Sequence, residues 1–155
     1  MSTAYVSDGY RVRLAPGVLA KALRLARVRA PLETGGLLLG AVVDGEACVL
    51  AVTGPGRKAV RNRFGFEADR GRDNRLLARV RPRLHWIGDW HTHPGGSPIL
   101  SGTDEEAARS ALSDKRGWVL EMVVAGNPSM RERLQVGLFT AVRGEAAIRR
   151  MEPAE

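Results

Sequence analysis

The sequence predicts an α+β fold, a mixed β-sheet flanked by helices. Three observations carry this. Two apolar runs, 37–43 and 47–53, are joined by Asp44-Gly45, a strong two-residue hairpin signal. Helical spacing of apolar residues begins at Val18 and is stopped by Pro31. Further apolar runs at 118–125 and 134–142 do not alternate with helices as regular crossover units would. At 155 residues the chain has the length of one domain, expected to fill 1–155 with its core at about 10–142.

Taken in order, Tyr10 to Leu14 alternates apolar and basic residues and reads as a short strand. Val18, Leu19, Ala22, Leu23 and Ala26 recur at helical spacing, with Lys21, Arg24 and Arg27 on the other face. The hairpin follows, and Cys48 is expected to pack inside its second strand as a small hydrophobe. Gly54-Pro55-Gly56 breaks the pattern. Between Arg57 and Arg75 stand seven Lys/Arg and three acids, a basic loop leading into a helix over 69–80 that Pro82 ends. His85 to Trp90 reads as a strand with His91 directly after it, and a loop runs from Pro94 to Gly102. Thr103 and Glu106 have capping-box spacing, which predicts a helix from about Asp104 to Leu112. Strands are expected at 118–125 and 134–142, and an edge strand at 146–151.

The composition, 44% apolar and 26% charged, excludes collagenous, mucin-like and fully disordered classes. A single cysteine cannot form an internal disulfide. The first four residues carry no basic-then-apolar segment, and no run of 18 apolar residues occurs, so a cytoplasmic protein without a membrane span is expected. The net charge of +7 is compatible with an Arg-rich surface or with an acidic partner, and names neither.

The chemistry concentrates at His91-Thr92-His93-Pro94. In an extended chain, residues i and i+2 point to the same side, so both imidazoles reach one metal ion. Asp104, at a predicted helix start, serves either as a cap or as a third ligand. Three protein ligands leave a fourth position for water, as a hydrolytic zinc site requires, and imidazole plus carboxylate suits Zn²⁺ better than Mg²⁺ or Ca²⁺. His85 has no assigned role. Asp89, two residues before His91, shares that ligand's side of the strand and is either a partner to a histidine or a solvated carboxylate. Trp86, Trp90 and Trp118 read as core or groove-wall residues.

The spacing His91-x-His93-Pro94, six residues, Ser101, two residues, Asp104 resembles the signature of the JAMM metalloproteases, the catalytic branch of the JAB/MPN domains. The family's upstream glutamate falls on Glu33, in Glu33-Thr34-Gly35-Gly36-Leu37-Leu38-Leu39-Gly40. The resemblance spans roughly 12–142 and implies a JAB/MPN-like, cytidine-deaminase-like fold. It implies His91, His93 and Asp104 as ligands of one zinc, with zinc-bound water as the nucleophile. Glu33 would be the general base and Ser101 the oxyanion donor. The implied reaction is cleavage after the C-terminal glycine of a ubiquitin-like protein, as precursor processing or deconjugation.

Arg63-Phe64-Gly65-Phe66 and Gly88-Asp89-Trp90-His91 resemble the small stand-alone bacterial proteins of this family, encoded beside E1- and E2-like proteins in anti-phage operons. A ubiquitination-like defence system is the first expectation. The alternatives are a CBASS deconjugase acting on a cyclic-nucleotide synthase conjugate, a peptidase for sulfur-carrier proteins, and an inactive MPN scaffold. Arg57, Lys58, Arg61 and Arg63 are expected to touch an acidic face of the partner. The glycine-rich loop from Gly95 to Leu100 departs from the family pattern and leaves its groove contacts open. No nucleic-acid partner is expected, since no helix-turn-helix pattern occurs. A two-metal phosphate hydrolase would need more carboxylates than Glu33 and Asp104.

Overall fold

The computed structural model describes residues 2–128 and 133–155. The strands are β1 (Thr3–Ser7), β2 (Tyr10–Leu14), β3 (Gly35–Val43), β4 (Glu46–Val52), β5 (Val60–Arg61), β6 (Phe66–Glu67), β7 (His85–Pro94), β8 (Trp118–Gly126), β9 (Gln135–Val142) and β10 (Arg149–Pro153). The helices are α1 (Val18–Arg29), α2 (Arg70–Val80) and α3 (Gly102–Ser110). Eight strands close into a barrel in the order β1-β10-β9-β8-β7-β3-β4-β2, and β5-β6 form a separate small hairpin. Neighbours are antiparallel except β2/β4 and β7/β8.

This corrects the expected sheet. The elements are α+β and the strand pairing is mixed, as predicted, but the sheet closes into a barrel, which the expectation did not include. Closure comes from β1, which pairs with β2 on one side and β10 on the other. The turn into β2 is Asp8-Gly9, both at positive φ, the same chemistry as Asp44-Gly45. The expected edge strand at 146–151 is instead β10 (Arg149–Pro153), an interior member paired with β9 and β1. Closure removes unpaired edges from the main sheet.

Alternation sets the two faces of the barrel. Along β8, Leu120, Met122 and Val124 join the main core, while Val119, Glu121 and Val123 lie on the opposite face. α1 adds Val18, Ala22 and Ala26 to the core, which also holds Leu38, Val49, Val52, Trp90 and Leu138. α3 covers the outer face of β8, where Ala108 meets Val119 and Ala141. Cys48 is not among the core residues. It is half-buried, because Ala47, Val49 and Val52 are the residues of β4 that face inward.

The helix starts also differ from expectation. α3 is capped by Ser101, whose Oγ accepts from the Asp104 N–H while the Asp104 carboxylate accepts from the Ser101 N–H. The Thr103/Glu106 pair has the right spacing but sits two residues late, inside the helix. α2 begins one residue after Asp69, whose carboxylate accepts from the Arg72 and Lys58 N–H groups. Among the described residues no helix is long and apolar enough to cross a membrane.

Gly88 sits where β7 and β8 first pair, opposite Leu120. A Cβ there would run into the Leu120 backbone carbonyl, which cannot yield without parting the strands. Gly88→Ala is therefore expected to destabilise the fold by about 3 kcal/mol or more in chemical denaturation, within the large-effect class of overpacking and backbone strain.

Candidate metal centre

β7 runs unbroken from His85 to Pro94, so His91 and His93 lie on the strand itself rather than after it. Their Nε2 atoms are 3.1 Å apart. Asp104 Oδ2, from the first turn of α3, is 3.1 Å from His91 Nε2 and 3.2 Å from His93 Nε2. The three ligand atoms thus form a nearly equilateral triangle. A tetrahedral ion with bonds of ~2.0–2.1 Å has ligand–ligand edges of about 3.3–3.4 Å, so the triangle is within a few tenths of an ångström of that geometry. Among the described residues this is the one group of three potential metal ligands.

The surroundings orient His93 and Asp104. His93 Nδ1 lies 3.3 Å from the Ser97 carbonyl. Donation there assigns the proton to Nδ1 and leaves the Nε2 lone pair for the site. The glycine-rich loop makes this contact by turning back, with Gly95 at φ 74° and the Gly96 N–H donating to the His93 carbonyl. Burial alone would raise the Asp104 pKa, but hydrogen bonds and charge from His91 and His93 outweigh it and hold the carboxyl far below its usual range. The Asp104 contact raises the His93 pKa in return.

Glu33 ends the loop before β3. Its N–H donates to the Asn62 carbonyl at 2.8 Å, which ties it to the β5–β6 hairpin. Its carboxyl is close enough to His93, His91 and Asp104 to feel their charges, yet is not part of the ligand triangle. Burial pushes its pKa upward against the two histidines.

Thr34 and Thr92 join the two halves. Thr92 Oγ1 accepts from the Thr34 N–H at 2.9 Å, and the Thr92 N–H donates to the Thr34 carbonyl at 2.9 Å. Thr92 stands between the two histidines and points into the barrel, 2% exposed, so both rings point outward. Gly35 continues the contact opposite His91, where a Cβ would strike the Trp90 carbonyl and crowd the Phe66 ring.

Sequence reasoning passed over two groups. Ser97 acts through a carbonyl, which leaves no mark in residue identity. Glu121 is hidden in the apolar run of β8, beside Asp89 in the parallel ladder and on the face under α3. Burial, with the charges of Asp89 and Asp104, pushes its pKa to about 9. A charged residue inside an expected buried strand was the available signal. Asp89 is partly buried and accepts from Trp86 Nε1 at 2.8 Å. It is therefore not a solvated carboxylate. Trp90 is a core residue that donates to the Thr53 carbonyl.

Residues 16–136 match the family of prokaryotic homologues of the JAB domain. The chain belongs to this family. It is a hydrolase of the JAMM type. It is 32% identical over 126 residues to a CD-NTase/cGAS isopeptidase of Enterobacter hormaechei subsp. hoffmannii, a match covering 77% of this chain and 69% of that protein. It is 36% identical over 92 residues to the probable metalloprotease y4qB of Sinorhizobium fredii, covering 52% of this chain and 53% of that one. This chain thus spans about half the length of the second relative. The solution structure of DSY2949 from Desulfitobacterium hafniense shares the fold, with a TM-score of 0.63, 18% identity, and coverage of 92% and 88%.

Two measurements test the electrostatics and the threonine pair. The folded-state pKa of Glu121, about 9, lies above its ordinary 4.5. Between those values the folded chain holds a proton that the unfolded chain has released, so this contribution is complete below about pH 4.5 and is lost as pH rises toward 9. In metal-free protein, Glu121→Gln should match wild type near pH 4.5 and exceed it at pH 8 by up to about 5 kcal/mol in denaturant titrations. Thr92→Val strands the buried Thr34 N–H and should cost about 1–3 kcal/mol. Thr34 Oγ1 is buried without a hydrogen bond, so Thr34→Val should be neutral or stabilising in the same assay.

Proposed function

We propose that this chain is a zinc-dependent isopeptidase that cleaves the amide joining a protein's C-terminal glycine to its attachment site. The observation that carries the reading is the His91–His93–Asp104 triangle with Glu33 beside it and outside it. Two imidazoles and one carboxylate suit zinc among the common ions. When bound, the metal supplies an acidified water and polarises the scissile carbonyl.

The remaining steps fall to side chains. Glu33 is tethered through its own N–H and has a carboxyl made more basic by burial, so it accepts the proton released on attack and delivers it to the leaving amine. Ser101 Oγ already accepts the Asp104 N–H as the cap of α3. Its hydroxyl proton remains to donate to the carbonyl oxygen as charge grows there. A donor in that role is worth ~2.7–4 kcal/mol.

The substrate reading rests on the relatives. The Enterobacter protein's name favours a conjugate of a CD-NTase, the alternative among the expectations above, over a separate ubiquitin-like protein. Both present the same chemistry, an extended C-terminal tail. An acidic partner suits the flank of the site. Residues 57–83 hold ten basic and three acidic residues, a net +7 equal to that of the whole chain. The β5–β6 hairpin that begins this stretch is bonded to Glu33 through Asn62.

The test pairs elemental analysis with mass-spectrometric cleavage. The substrates are a CD-NTase and a ubiquitin-like protein, each carrying a C-terminal extension after glycine. Wild type should hold zinc near one per chain and cut after glycine. Glu33→Ala should keep zinc and lose turnover by at least about a hundredfold. Asp104→Ala should lose zinc. Loss of zinc in Glu33→Ala, or unchanged zinc in Asp104→Ala, would overturn the assigned roles.

A further inference from the structure

A second cavity lies at the opposite end of β7 from the metal centre. From Trp86 to His91 the strand advances five residues, about 17 Å at ~3.3 Å per residue. The β7/β8 ladder begins at Gly88 and Leu120, so the strands part below it, while β7 stays paired with β3 through Trp86 and His85. The gap is an open cleft of about 350 Å³ lined by Trp86, Trp118, His85, Lys115 and Arg116.

Of the cations there, Arg116 is held in place while Lys115 and His85 are exposed. Ser113 and Arg116 exchange backbone hydrogen bonds of 2.9 and 3.0 Å, a tight turn that fixes Lys115 and Arg116. The Arg116 guanidinium stacks over Trp86 at 4.3 Å and donates through Nη1 to the Trp86 carbonyl at 3.0 Å. Among the described residues, Nε and Nη2 have no hydrogen-bond partner. Among the described residues neither Arg116, Lys115 nor His85 has a carboxylate in ion-pair contact. Nearby Asp114 is taken by Arg143 and Arg11 by Glu46. Burial and the charge of Arg81 work against the Arg116 cation, and the charge of Asp89 offsets them only in part.

Size and walls narrow the ligand. The cavity would hold on the order of ten waters at ~30 Å³ each, so a lone oxyanion leaves most of it empty. Trp118 offers a flat apolar wall, and a smaller cavity of about 120 Å³ adjoins on its far side. We propose that this cavity binds a nucleoside monophosphate, with the phosphate against Arg116, Lys115 and His85 and the ring against Trp118. Arginine forks and aromatic faces recognise phosphate and base respectively. The inference is independent of the isopeptidase reading, since it uses none of the metal-site residues.

Proton–nitrogen NMR of the three tryptophan indoles tests it, with AMP as probe and adenosine and inorganic phosphate as comparisons. AMP should shift the Trp86 and Trp118 signals saturably and leave that of Trp90, buried in the core, in place. Lys115→Glu, and Arg116→Met with its stem retained, should each weaken binding by about tenfold, the loss of one charge-assisted contact. Lys21→Glu on α1 makes the same charge change as Lys115→Glu elsewhere and should have no effect. Four results would overturn the proposal. They are no saturable shift at Trp86 and Trp118, equal weakening by Lys21→Glu and Lys115→Glu, adenosine binding as tightly as AMP, and phosphate binding as tightly as AMP.

Discussion

The contact between Thr34 and Thr92 is the constraint on which the site depends. The two histidines of the candidate metal centre and Glu33 come from segments 58 residues apart, and this contact sets their distance. Thr92 is the residue between the two histidines, so its inward position forces both rings outward. Thr34 follows Glu33, so the same hydrogen bonds place the carboxylate beside the rings. A backbone amide and a hydroxyl buried together must satisfy each other, because water cannot reach them. The site's geometry is thus fixed by polar groups inside the barrel, behind the face where the chemistry takes place.

A second consequence follows on the outer face. Asp89 and Glu121 stand side by side under α3, near a centre that already holds Asp104. Three carboxylates in one poorly solvated region repel one another, and the cheapest resolution is to keep a proton. Asp104 is stabilised as an anion by the histidines, and Asp89 accepts the Trp86 indole. Glu121 has no such partner among the described residues, so it carries the proton. A neutral Glu121 lets the negative charge concentrate at Asp104, where a cation can use it.

How much of this was legible depends on the kind of information each feature uses. The clustering of His91, His93 and Asp104 was readable because metal chemistry limits residue types and spacing. α1, β3, β4 and β8 were readable from periodicity and turn residues. Barrel closure was not, because it depends on pairing between β1 and β10, nearly the whole chain apart. The local signal for β1 did exist: Asp8-Gly9 is the same hairpin dipeptide as Asp44-Gly45, but it precedes the alternation at Tyr10 and was left unused. Cys48 was misplaced because β4 contains no polar residue between Glu46 and Thr53 to mark its outward side. Without that contrast an apolar strand gives no phase.

The start of α3 shows why one part of the motif has the spacing it has. An N-cap side chain reaches the backbone of the third helical residue, and that residue reaches back. Ser101 and Asp104 occupy those two positions and make both contacts. Serine, two residues, aspartate is therefore helix-start geometry before it is catalytic geometry. Asp104 Oδ2 accepts the Ser101 N–H and also faces both histidines, so forming the first turn of α3 and completing the ligand triangle are one event. The cap also turns the Ser101 oxygen toward the helix and leaves its proton outward. A glutamate at position 104 would preserve a capping-box pattern in the sequence, but its extra methylene would move the carboxylate away from a triangle with edges near 3 Å. The triangle with the two histidines thus favours aspartate over the commoner capping glutamate, and the helix start favours serine before it.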